Sequence, residues 1–147
     1  MNDDLTVKEG VLLALRRAGW GIIAVILLHS ILASVFGHEP YVDPAIQLCG
    51  GVAIAYLLHQ LCSNLPVVLG HPSTLGRNLM AFGLTAAVAI LMEVVEFILD
   101  NMLGTNFTGD VAETVRDLIL GLLGAMVFLI GHWLGVRDAE QHEKDLG

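Results

Sequence analysis

Four apolar runs limit what this chain can become: residues 18–36, 44–62, 78–103 and 110–136. Each matches or exceeds the ~20 residues that carry a helix across a bilayer. Apolar residues make up 55% of the chain and charged residues 15%, with a mean hydropathy of +0.72. A soluble domain has about 25% charged residues, so a soluble fold is excluded. The expectation is one all-α domain over residues 1–147, an integral membrane four-helix transmembrane bundle. Residues 78–103 and 110–136 exceed the minimum length, so these helices tilt or protrude.

The basic residues give the orientation. With four spans both termini lie on one side. Lys8, Arg16, Arg17, Arg77, Arg137 and Lys144 fall on that side, and Arg116 alone falls on the other. This bias predicts cytoplasmic N and C termini in a bacterial inner (plasma) membrane. Trp20 and Trp133 sit at the same interface, as an aromatic belt does. Residues 1–17 read as a short interfacial helix or a cytoplasmic extension of the first span, and 137–147 as a charged tail. A signal peptide would also begin with a basic segment and an apolar run, but no clean A-x-A site follows.

Loops are expected at 37–43, 63–77 and 101–109. Asp43 before Pro44 is a helix-start signature. Small residues recur four apart at Ala33 and Gly37, Gly51 and Ala55, Gly83 and Ala87, Gly121 and Ala125, and Gly131 and Gly135. Such spacing lets helix backbones approach closely in lipid and favours a tight bundle.

Between the last two apolar runs lies the polar centre of the chain, MEVVEFILDNMLGTNFTGDVAETVRD, residues 92–117. Glu93, Glu96 and Asp100 are spaced three then four, and Asp110, Glu113 and Asp117 repeat that spacing. At 3.6 residues per turn each triplet shares one helix face. A short connection makes the two helices antiparallel neighbours, with Glu93 level with Asp117. Asp110 and Glu113 also fit a capping box. Capping accounts for Asp110, Glu113 and Asp43, and leaves Glu93, Glu96, Asp100 and Asp117 unexplained.

Carboxylates beside lipid are costly unless paired, protonated or bound to a cation. Arg116 is the one cation nearby and cannot neutralise six acids. Three solutions stay open: shared protons, a divalent metal such as Mg²⁺, Ca²⁺ or Mn²⁺ on oxygen ligands, or a charge from a partner protein or lipid headgroup. Gln47, one turn after Asp43, and Asn106, in the loop, are supporting polar residues.

Other chemistry is largely excluded. A net charge of −8 argues against nucleic acid, whose phosphates need clustered Lys and Arg. Cys49 and Cys62 lie thirteen residues apart in one helix, about 20 Å of rise, and cannot bond to each other. There is no Ser-His-Asp order, HExxH motif or phosphate-binding glycine loop. His59 and His132 lie at similar depth in the second and fourth spans, where facing histidines can hold haem. The expectation is interhelical hydrogen bonding and no haem. His29 is expected to be a packed polar residue of the first span.

The acidic hairpin resembles that of the YjdF-like bacterial membrane proteins. Matching positions are Glu93, Glu96, Gly104, Thr105, Asn106, Asp110, Glu113, Asp117 and Gly124, with Asp43 and Gly51 in the earlier segment YVDPAIQLCGG. The chain departs from that pattern at Gln47, where the family has histidine. VanZ-like proteins are similar more faintly, through a polar pattern in the last spans. The resemblance implies the fold and the acidic site, and carries no activity.

The functional expectation is an outward-facing intramembrane carboxylate site that binds a cation or lipid headgroup. The alternative is a non-catalytic accessory subunit of a larger membrane protein complex, with membrane lipids and a homo-oligomer or complex as partners.

Overall fold

A computed structural model describes residues 6–36, 42–104 and 110–146. The described residues form five helices: α1 (Val7–Phe36), α2 (Val42–Asn64), α3 (Pro66–Leu69), α4 (Thr74–Leu103) and α5 (Val111–Leu146). Of these, α1, α2, α4 and α5 are long and apolar enough to cross a membrane. The expected all-helical four-span architecture is therefore present.

Helix boundaries depart from the sequence reading in physically instructive ways. α1 is continuous from Val7, so of the two forms expected for residues 1–17, residues 7–17 take that of an extension of the first span's helix. Thr6 and Glu9 begin it as a reciprocal capping box. The Thr6 amide donates to Glu9 Oε2 at 3.0 Å, and the Glu9 amide donates to Thr6 Oγ1 at 3.4 Å. α2 starts at Val42, which places Asp43 inside the first turn rather than at the cap. α4 starts at Thr74 because Ser73 caps it, its hydroxyl accepting from the Gly76 amide at 3.2 Å. Gly104 ends α4 with φ +67°, the left-handed region open to glycine, and its amide returns to the Asp100 carbonyl at 3.0 Å. α5 runs on to Leu146, so the expected charged tail continues the last helix. The connection of residues 63–77 also contains the one-turn helix α3.

α2 is the central element: α1, α4 and α5 all pack on it, and α4 and α5 pack on each other. The α1–α2 hairpin is antiparallel. Gly10 lies against Asn64, Gly21 against Ala53, and His29 Nε2 is 4.0 Å from Asp43 Oδ1. α2 and α5 run parallel, since Gln47 meets Asp117 at one end and His59 meets His132 at the other.

The interior is built from small side chains. Ala14, Ala18, Ala55, Ala81 and Ala125 are wholly buried, while Ile23, Leu91, Phe97 and Val127 are more than half exposed. This arrangement suits lipid, where close backbone packing replaces the hydrophobic drive of water. Of the expected small-residue pairs, Gly51 and Gly121 do most. A Cβ on Gly51 would strike the Gly121 carbonyl, and one on Gly124 would strike the Leu48 carbonyl. Gly83, Gly131 and Gly135 face open space, so those pairs bring no helices of this chain together. The pair Ala33 and Gly37 extends outside the described residues. Cys49 and Cys62 are both free.

Candidate functional site

Depth follows from counting along the helices. From Arg77 to Glu93 is sixteen residues of α4, or about 24 Å of rise. From Asp117 to His132 is fifteen residues of α5, or about 22 Å. The hydrocarbon core is ~30 Å thick. With the Arg77 and His132 layer at one boundary, Glu93 and Asp117 lie roughly 6–8 Å inside the other.

At that level a cavity of about 340 Å³ opens between α2, α4 and α5. Glu93, Glu96, Asp117 and Gln47 line it, together with Thr85 and His29. Its floor is the α2–α5 crossing: Gln47 stands one turn before Gly51, and Asp117 one turn before Gly121. The Gln47 amide donates to Asp117 Oδ2 at 3.4 Å, and Arg116 Nε donates to Asp117 Oδ1 at 3.1 Å. Thr114 on α5 lies close enough to Glu93 to interact with its carboxylate. Glu96 lies within electrostatic range of Glu93, Asp117 and Asp100. Thr85 turns its hydroxyl back to the Ala81 carbonyl at 2.8 Å.

The remaining acids have other places. Asp110 and Glu113 form the capping box of α5: the Glu113 amide donates to Asp110 Oδ1 at 2.8 Å, and the Asp110 amide to Glu113 Oε2 at 3.2 Å. Asp43 sits beside His29, both side chains half exposed. Asp100 is in the last turn of α4, outside the cavity lining. Asn106 lies outside the described residues. The structure thus brings Glu93, Glu96, Asp117 and Gln47 together and leaves Asp110, Glu113, Asp43 and Asp100 at the rim or beyond. Among the described residues, no three His, Cys, Asp or Glu side chains form a group that could hold a metal ion. The carboxylates surround a space rather than a point.

A family model described as a predicted membrane protein, DUF2238, matches residues 15–137. The chain belongs to the DUF2238 family of predicted membrane proteins. No curated protein and no solved structure matches it. The DUF2238 match takes in every residue lining the carboxylate cavity, and leaves the Thr6–Glu9 cap and Lys8 outside.

The family region also contains a second polar layer, at the opposite end. His59 and His132 face each other with ring centroids 4.3 Å apart, and Phe128 lies about 6 Å from both rings. The expectation of interhelical hydrogen bonding is met through α4 rather than between the histidines: Arg77 Nε donates to His59 Nε2 at 3.3 Å. Tyr56 donates to the Arg17 carbonyl at 3.2 Å, so α1 brings Arg17 to this level. Trp20, also on α1, is exposed and donates to that carbonyl at 2.9 Å.

Thr114 and Thr85 were not singled out by sequence pattern, and His29 and Arg77 were given other places than the ones they take. His29 lines the cavity with its side chain half exposed and is not packed in the first span. The antiparallel register of the first hairpin was the signal that could have placed it beside Asp43.

Proposed function

We propose that this protein takes a cationic group into the carboxylate cavity between α2, α4 and α5. One observation carries the reading. Glu93, Glu96 and Asp117 line a single cavity of about 340 Å³ in an apolar belt, and among the described residues one guanidinium, Arg116, pairs with one of them, Asp117. Three carboxylates against one cation leave a negative deficit that a bound cation would offset. A space of this size suits a hydrated divalent ion or the ammonium of an amine or lipid headgroup better than a bare ion.

The positive-inside bias supports a cavity facing away from the cytoplasm, in a bacterial inner membrane with cytoplasmic termini. The likeness to YjdF-like proteins, carried by the acidic hairpin, supports the same site.

The test is unfolding of the purified protein in non-ionic detergent, titrated separately with MgCl₂, MnCl₂ and ethanolamine. Stabilisation of the wild type that is lost in Glu93→Gln supports the reading and names the cation class. Equal responses of the two proteins, or none in either, overturn it.

A second reading, an accessory subunit of a larger complex, draws on the open small-residue faces at Gly83 and Gly131. There a partner helix could approach as closely as α2 approaches α5. Stoichiometric co-purification of another membrane protein, lost in Gly83→Leu, would support it.

A further inference from the structure

A groove of about 390 Å³ lies where α1, α2 and α5 meet. It is almost wholly apolar and shares no lining residue with the carboxylate cavity. On α1 its wall is the stripe Gly21, Ala24 and Leu28, and Phe128 of α5 stands across from them. Gly21 and Ala24 carry too little side chain to fill the space, so the trough stays open. Arg17 heads the same stripe, four residues before Gly21. Two aromatic residues of the lining fix this end. Trp20 Nε1 and the Tyr56 hydroxyl both donate to the Arg17 carbonyl, at 2.9 and 3.2 Å. The mouth of the groove is therefore at Arg17.

Positive charge gathers at that mouth. Arg16 and Arg17 are both exposed, and among the described residues neither pairs with a carboxylate. Helical side chains lean toward the N-terminus of their helix, which for α1 is away from the trough and toward the headgroups. A ligand meets these guanidiniums on the surface, and nothing in the bundle has to open. Trp20 is exposed beside them, as an interfacial tryptophan is.

Depth selects the occupant. From Arg17 to Leu28 is eleven residues of α1, or about 16 Å of rise. That is half of the ~30 Å hydrocarbon core. On α2 the lining stops at Cys49, seven residues from Tyr56, after about 10 Å. The groove is thus one leaflet deep. A transmembrane partner helix needs a trough through the whole core, whereas an acyl chain needs one leaflet. A cationic mouth over an apolar trough matches the two halves of an anionic phospholipid.

We propose that the groove between α1, α2 and α5 holds one acyl chain of an anionic phospholipid, whose phosphate pairs with Arg17 and Arg16. Arg17, at the head of the stripe, meets the phosphate oxygens through its planar fork of donors. Arg16 adds a second positive charge at the same level.

The experiment is native mass spectrometry of the full chain in non-ionic detergent, titrated with dioleoyl phosphatidylglycerol or dioleoyl phosphatidylcholine. The expected result is retention of one phosphatidylglycerol, favoured about fivefold or more over phosphatidylcholine. Arg17→Gln keeps the carbonyl that Trp20 and Tyr56 use, and should reduce that preference; the double variant Arg16→Gln, Arg17→Gln should abolish it. Ala24→Trp, at an exposed position on the groove wall, fills the trough without entering the core and should lower retention of both lipids severalfold. Equal retention of the two lipids by the wild type overturns the proposal. So does a preference that survives the double arginine variant, or retention that Ala24→Trp leaves unchanged. Recovery as a dimer without bound lipid would give the groove to a second copy and overturn it too.

Discussion

The Gln47 amide donates to the Asp117 carboxylate at 3.4 Å, one turn above the point where Gly51 and Gly121 bring two parallel helices into backbone contact. The polar pair and the glycine crossing are one device. The crossing fixes how far apart α2 and α5 stand, and that spacing decides whether Gln47 reaches Asp117. The carboxylate cavity is therefore shaped from its floor.

This dependence separates the glycines. Gly51→Val has no room, because its first carbon already meets backbone. Overpacking of a side chain costs about 1–3 kcal/mol, and a clash with backbone belongs at or above the top of that range. Gly83→Ala meets open space and replaces the poorer helix former, a gain of up to ~1 kcal/mol. Denaturant titration in mixed micelles should rank Gly51→Val well below wild type and Gly83→Ala at or above it. Equal stabilities would show that the crossing does not hold the bundle.

The α5 capping box predicts a stability effect without a ligand effect. Asp110→Ala should cost about 1 kcal/mol, and Glu113→Ala should cost less than additively in the double variant, because the two residues satisfy each other's amides. Neither should alter the response to cations, since both carboxylates stand outside the cavity lining. A cation response lost in Asp110→Ala would show that the rim takes part in binding.

The four spans were legible because lipid imposes length and apolarity on every segment that crosses it. The acidic hairpin was legible because a three-four spacing puts charges on one helix face whatever the tertiary packing. Glu93 and Asp117 could be matched in depth by counting from the loop. What counting could not supply was where the cavity closes. Asp100 shares a helical stripe with Glu93 and Glu96 yet falls outside the cavity, because α4 ends one turn later and the cavity closes below it. Nor could it show which small-residue stripes are used: Gly83 and Ala87 read as well as Gly51 and Ala55, and only the second pair lies against another helix of the chain. Arg77 was read as a loop charge, because its helix begins at Ser73 through a cap that the glycine and proline residues around it obscure.

The topology makes a prediction of its own. In a cysteine-free background, single cysteines at Asn106 and Gly70 test the two sides. An impermeant thiol reagent added to intact cells should label Asn106→Cys and spare Gly70→Cys until the membrane is opened. Labelling of Gly70→Cys in intact cells would reverse the orientation and point the carboxylate cavity inward.

Arg116 decides between a structural and a binding role for the carboxylates. Its pair with Asp117 has side-chain exposures of 45% and 21%, and exposed ion pairs contribute little to stability. Arg116→Gln should therefore change stability little. It also removes the one cation that, among the described residues, pairs with Asp117 and would compete with a ligand for it. Removing a like charge beside a bound cation strengthens its binding, so cation affinity in Arg116→Gln should rise severalfold. Asp117→Asn should fold, keep a hydrogen-bonding partner for Gln47 and lose the cation response, and Glu93→Gln should do the same. A purely structural network predicts the opposite pattern. There, Arg116→Gln leaves three carboxylates unrelieved and destabilises the chain, whereas Asp117→Asn relieves repulsion and stabilises it. Calorimetric titration with the stabilising cation, beside unfolding of the three variants without it, tells these apart, and tighter binding in Arg116→Gln is the outcome that a structural network cannot produce.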